Sequence, residues 1–140
     1  MADDMALLVA DIYELAGLLR RSGEVMAARE GQTQARWQLL SVLSDDAHTV
    51  PQAARRLGVT RQAVQRVANE LVAGGLVDLD ENPDHRTSPL LRLTDEGRGV
   101  LARISRLAAA ENNRLVRAVG AETVATTHQG VRRLTGALKN

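Results

Sequence analysis

The sequence predicts a mainly α chain in which two short helices, a tight turn and a β-hairpin sit between long terminal helices. Three observations predict it. Hydrophobic residues make up 44% of the chain but aromatics only 1%, with Trp37 and Tyr13 alone, so the core must come from Leu, Val, Ile and Ala, a palette that favours helices. Leu57-Gly58-Val59-Thr60 separates two amphipathic stretches: Gly58 can adopt the left-handed conformation that ends one helix, and Thr60 can accept a hydrogen bond from the first free amides of the next. Both ends of the chain carry long runs of apolar residues at helical spacing.

The elements follow in order. Residues 3 to 29 read as a helix with Met5, Leu8, Ile12, Leu15 and Leu19 at helical spacing and further apolar residues at Leu7, Val9 and Leu18. So wide an apolar arc asks for two surfaces to pack against. Thr33 is the expected N-cap of a second helix, 34 to 43, burying Trp37, Leu40 and Val42. After a polar connection, Thr49-Val50 is expected as the short first strand of a sheet, and Pro51 suits the first turn of a helix reaching Leu57, where its missing amide costs nothing. That helix should bury Ala53, Ala54 and Leu57 and expose Arg55 and Arg56.

The next helix, Arg61 to Ala73, divides into two faces. Val64, Val67, Ala68 and Leu71 form an apolar stripe, while Gln62, Gln65, Arg66 and Asn69 lie opposite, and Glu70 is its sole carboxylate. Gly74-Gly75 stops it. Leu76 to Asp80 alternates as a half-buried strand, residues 81 to 88 are polar and turn-forming, and Leu90 to Leu93 returns as a second strand. A helix-turn-helix followed by a hairpin is a winged helix-turn-helix, here expected with a small three-stranded antiparallel sheet. Thr94 should cap a helix whose stripe runs Val100, Leu101, Ile104, Leu107, Ala108, Leu115 and Val119, and Gly120 separates it from a last helix beginning near Glu122.

The polar face of the 61–73 helix carries the functional reading. Gln and Asn pair bidentately with adenine, Arg pairs with guanine, and a duplex major groove admits a helix of this width. A solvated helix face would instead be expected to carry Glu and Lys at i, i+4 spacing. Gln62, Gln65 and Asn69 are therefore assigned to base edges, Arg61 and Arg66 to bases or phosphates, and Thr60 to phosphate as well as capping. The preceding helix crosses the DNA backbone in this geometry, so Arg55 and Arg56 are candidate phosphate contacts or solvated side chains. Arg86 is the only basic side chain at the hairpin tip, where it can reach the minor groove or pair with Asp84.

Gly58-Val59-Thr60-Arg61-Gln62-Ala63-Val64, Ala73-Gly74-Gly75-Leu76-Val77, and Asn82-Pro83-Asp84-His85-Arg86 leading into Leu91-Arg92-Leu93-Thr94-Asp95-Glu96-Gly97 resemble the MarR family of bacterial transcription regulators. The resemblance covers nearly the whole chain. Two wing positions depart from the family pattern: Thr87 stands where a second basic residue is common, and Pro89 where a basic or polar residue is common. The resemblance implies a repressor relieved by a small aromatic or amphiphilic effector held between the dimerisation helices and the winged helix, with Tyr13, Arg36 and Trp37 as candidate lining residues. Read from its own position, Trp37 is a core residue.

Length and patterning suggest one compact chain, with 33–94 as the DNA-binding winged helix and 1–32 together with 95–140 as a helical dimerisation region. Terminal stripes left exposed would exceed the apolar patch a monomer tolerates, so a homodimer on an approximately palindromic operator is expected. Net charge is only +1, so the case for nucleic acid rests on where the arginines sit rather than on bulk charge. The absence of cysteine excludes disulfides, thiol-based sensing and cysteine-ligated zinc. His48, His85 and His128 show no metal-ligand spacing, and neither a phosphate-cradling glycine loop nor a nucleophile elbow is present. No enzyme activity, cofactor or metal is expected. With no signal peptide and no membrane-length apolar run, a cytoplasmic protein is expected. The competing reading is a winged helix that docks on a partner protein without sequence-specific DNA binding.

Overall fold

The computed structural model describes residues 3–84 and 87–140. Its elements run α1 (Asp4–Ala28), α2 (Gln34–Val42), α3 (Val50–Leu57), α4 (Arg61–Ala73), β1 (Val77–Asp80), β2 (Leu90–Leu93), α5 (Asp95–Val119) and α6 (Ala121–Lys139). Two compact units are distinguishable, residues 1–105 and 106–140.

In the first unit, local chemistry sets the helix starts. Asp3 accepts from the amides of Met5 and Ala6, Thr33 from Arg36 and Thr60 from Ala63, each satisfying an amide that the first turn leaves unpaired. Thr49 goes further. Its hydroxyl accepts from Gln52 N at 3.2 Å while Gln52 Oε1 accepts from Thr49 N at 2.9 Å, a reciprocal capping box. Gly58 closes α3 at φ 68°, in the left-handed region, so α3 and α4 meet as the turn chemistry predicts.

The capping box also corrects the expected first strand. The sheet is antiparallel with two strands, in the register Val77↔Leu93 to Asp80↔Leu90, extended by a one-residue bridge between His48 and Leu91. Thr49 cannot extend that bridge into a strand, because its amide is bound to Gln52 and its carbonyl accepts from Ala53 N at 3.0 Å. Val50 is already the first residue of α3.

The core joins Leu39, Leu40 and Leu43 near α2, Ala53 and Ala54 of α3, and Val64, Val67, Ala68 and Leu71 of α4 with Leu76, Val77, Leu91, Leu93, Val100 and Ile104. The α4 stripe is buried as expected, but the inner face of α2 is Leu39, Leu40 and Leu43. Trp37 and Val42 pack only against its edge. α1 touches this core through its small residues: Gly23 and Ala27 are its buried positions, and a Cβ on Gly23 would come within 2.8 Å of the Gln34 side chain. α5 begins over the sheet in the same way. Thr94 Oγ1 donates to Gly75 O at 2.8 Å and accepts from Gly97 N at 3.0 Å, and a Cβ on Gly97 would lie 2.1 Å from Leu76 O.

The second unit contains the rest of α5 and α6, joined at Gly120 with φ 92°. Arg114 pairs with Glu111 one turn away. α6 buries no residue, and Val124, Val131 and Leu138 on it are exposed. Among the described residues, no helix is long and apolar enough to cross a membrane.

Candidate nucleic-acid interface

α4 holds its position through Val64, Val67, Ala68 and Leu71, and that anchoring turns Gln62, Gln65, Arg66 and Asn69 to solvent. Arg61 at its start is exposed too, as are Arg55 and Arg56 on α3. Among the described residues, no ion pair involves Arg55, Arg56, Arg61 or Arg66. Thr60 keeps its cap on Ala63 N at 3.1 Å, and its hydroxyl proton can still be donated. Arg86 lies outside the described residues.

These side chains divide between two flanks of α4. Arg61, Gln62 and Gln65 line a cleft of about 330 Å³ with Val50, Pro51, Leu79, Thr87, Ser88 and Pro89, so the helix start and the wing share one surface. Arg66 lies on the other flank, beside Leu57 and Val59. Leu79 was legible as a strand residue, but alternation placed it inside, whereas it is 52% exposed. Val77, two residues earlier on the same strand, is 1% exposed, so burial along β1 ends toward the hairpin tip. Leu91 in β2 is flanked by both His48 and Leu79, while β1 has a neighbour on one side only.

Two carboxylates on these elements are paired with arginines. Glu70 pairs with Arg36 of α2 at 3.4 Å, and Asp80 pairs across the hairpin with Arg92, whose guanidinium is held even further above its ordinary pKa by that hydrogen bond. Within the polar face, Gln65 Nε2 donates to Asn69 Oδ1 at 2.9 Å.

The expected effector residues do not line one cavity. Trp37 borders an open cleft of about 560 Å³ with Gln38, Val42, Asp46, His48 and Arg56. Arg36 borders a different one, about 300 Å³, with Glu30, Glu70, Glu96 and Arg103. Tyr13 is 75% exposed on α1 and lines neither.

With α4, its polar face and the hairpin in place, comparison with known proteins decides the family. A family model described as MarR family matches residues 31–86, from the turn before α2 to the wing. The chain is 66% identical over 139 residues to an uncharacterized protein of Mycobacterium tuberculosis, covering 99% of this chain and 97% of that one. Among solved structures it is similar to the MarR family transcription regulator SP03579, at a TM-score of 0.87 and 24% identity, over 98% of this chain and 91% of that one. The chain belongs to the MarR family. It is similar also to the PcaV transcriptional regulator of Streptomyces coelicolor, solved in complex with its natural ligand, with a TM-score of 0.75 and 25% identity over 99% of both chains. The segment matched by the MarR family model holds Arg55, Arg56 and every candidate base-reading residue on α4.

Proposed function

We propose that this MarR family member is a sequence-specific regulator of transcription that binds double-stranded DNA as a homodimer, represses by occluding its promoter and is released by a small-molecule effector. One observation carries the reading: α4 spends its apolar side on the core and offers Gln62, Gln65, Arg66 and Asn69 to solvent, donors and acceptors suited to base edges in the major groove. Thr60 and Arg61 add contacts at the helix start, Arg55 and Arg56 meet phosphate, and Arg86 reaches the minor groove from the wing.

In this reading residues 33–94 read DNA, while 1–32 and 95–140 form the dimerisation region. Support comes from α1, whose Met5, Leu7, Leu8, Leu15, Leu18 and Leu19 are exposed in the single chain, more apolar surface than a monomer ordinarily carries. A two-fold pair sets two recognition helices roughly 34 to 36 Å apart, one turn of the duplex. An effector lowers affinity by binding better to a dimer whose helices are misspaced. That PcaV was solved in complex with its natural ligand supports the existence of an effector. The open cleft beside Trp37 is the proposed site, and the other candidate contacts, Arg36 and Tyr13, lie outside it in the single chain.

Fluorescence anisotropy tests the reading, using the full chain with duplex from the region upstream of its own gene and a scrambled duplex of equal composition. Specific binding is expected to exceed non-specific binding by about a thousandfold or more. Equal weak binding to both duplexes would instead favour a winged helix that docks on a protein partner.

A further inference from the structure

The hydrogen bond between Gln65 and Asn69 distinguishes two residues that otherwise look equivalent. Both are exposed on α4 one turn apart, a spacing at which side-chain amides meet. Gln65 is the donor and Asn69 the acceptor. Resting on the DNA-binding reading above, we infer that Asn69 is a positioning residue that holds the Gln65 carboxamide in the pose that pairs with adenine, so that one A·T pair in each half-site is specified by Gln65 acting with Asn69.

The donor inventory allows both bonds at once. Adenine offers N6–H as donor and N7 as acceptor in the major groove. Pairing with it uses Gln65 Oε1 and the Nε2 hydrogen on the same side as that oxygen, which leaves the second Nε2 hydrogen for Asn69. Guanine offers two acceptors, O6 and N7, and therefore repels Oε1 in this pose. A free glutamine escapes by turning its terminal torsion, which is broad and nearly two-fold. Held by Asn69, the amide turns only if both amides turn together. No carboxylate competes for these hydrogens from the adjacent position, since Glu70 is engaged with Arg36.

The test selects sequences from a duplex pool with a randomised centre, using wild-type protein, Gln65→Ala, Asn69→Ala and Asn69→Asp, followed by anisotropy titration of the selected duplex and of its single-base-pair variants. The wild type should enrich a motif with adenine at one position per half-site. Gln65→Ala should cut the adenine-over-guanine preference there by about fivefold to a hundredfold. Asn69→Ala should weaken the preference at that same position by about two- to tenfold and leave other positions unchanged. Asn69→Asp is the decisive variant. A carboxylate only accepts, so it permits the adenine pose alone and should preserve the preference while lowering overall affinity.

Three results would overturn the inference while leaving sequence-specific binding intact: an Asn69→Ala effect at a different base pair from that of Gln65→Ala, no adenine preference at the Gln65-dependent position, or loss of the preference in Asn69→Asp. A wild-type protein that enriches no motif would overturn the DNA-binding reading, and this inference with it.

Discussion

Single residues show where local chemistry and long-range packing part company. Thr33 and Thr60 are legible as helix caps because a cap involves only amides two or three positions ahead, whereas Thr49, expected as a strand residue, caps α3 through the same local chemistry. Thr49→Ala should therefore lower unfolding free energy by about 0.5–2 kcal/mol in urea titration, with the larger values expected because Thr49 is only 6% exposed and its loss also frees Gln52. Gly97 is different. Nothing local demands glycine there, but its Cα passes so close to Leu76 O that a Cβ would overlap the carbonyl. Gly97→Ala should cost about 1–3 kcal/mol by the same measurement, because the backbone must move to admit it. An unchanged midpoint would mean that α5 can slide off the sheet freely. Trp37 was read as core from its position and lies only at the core's edge, since α2 turns Leu39, Leu40 and Leu43 inward instead.

The elements couple through charge as well as through packing. Arg36 was a candidate effector contact by resemblance, and in the structure it holds Glu70 of the recognition helix. The pair is partly exposed, so Arg36→Ala should change stability by no more than about 1 kcal/mol. Its larger effect should appear on DNA, where the unpaired Glu70 carboxylate repels phosphate. We expect Arg36→Ala to weaken operator binding several-fold and Arg36→Ala/Glu70→Gln to restore most of it; a double variant as weak as the single one would place Arg36 itself in contact with the DNA or an effector. The hairpin teaches a related lesson. Alternation correctly located both strands, yet Leu79 is 52% exposed while Val77 on the same strand is 1% exposed, and a period-2 pattern carries no information about where along a strand the core ends.

At the scale of the whole molecule, the apolar residues of α1 and the low net charge make opposite demands on binding. Leu8→Glu with Leu15→Glu on α1 should shift sedimentation toward monomer and reduce operator affinity, because each half-site would then be held alone. A variant that stays dimeric would locate the interface on other elements. With a formal charge of +1, affinity should fall less steeply with salt than it does for strongly basic regulators, whose slopes count the phosphates they neutralise. A steep slope measured by anisotropy across a salt series would show that Arg55, Arg56, Arg61 and Arg66 engage more phosphates than this charge balance suggests.

By itself the sequence determined the order of the helices and of the hairpin strands, the caps at Thr33 and Thr60, the turn at Gly58 and the division of α4 into a buried stripe and a polar face. Each of these is written within a few residues, by the reach of a side chain to a nearby amide or by a helical period. The missing third strand is local too, since the Thr49–Gln52 capping box ends it; tertiary structure alone decided that Leu79 is exposed beside the recognition helix and that Arg36 neutralises Glu70. It also decided that Gly97 must pass the Leu76 carbonyl. Those outcomes depend on which segments meet, 21 positions apart for Gly97 and Leu76 and 34 for Arg36 and Glu70, and no local pattern specifies the partner.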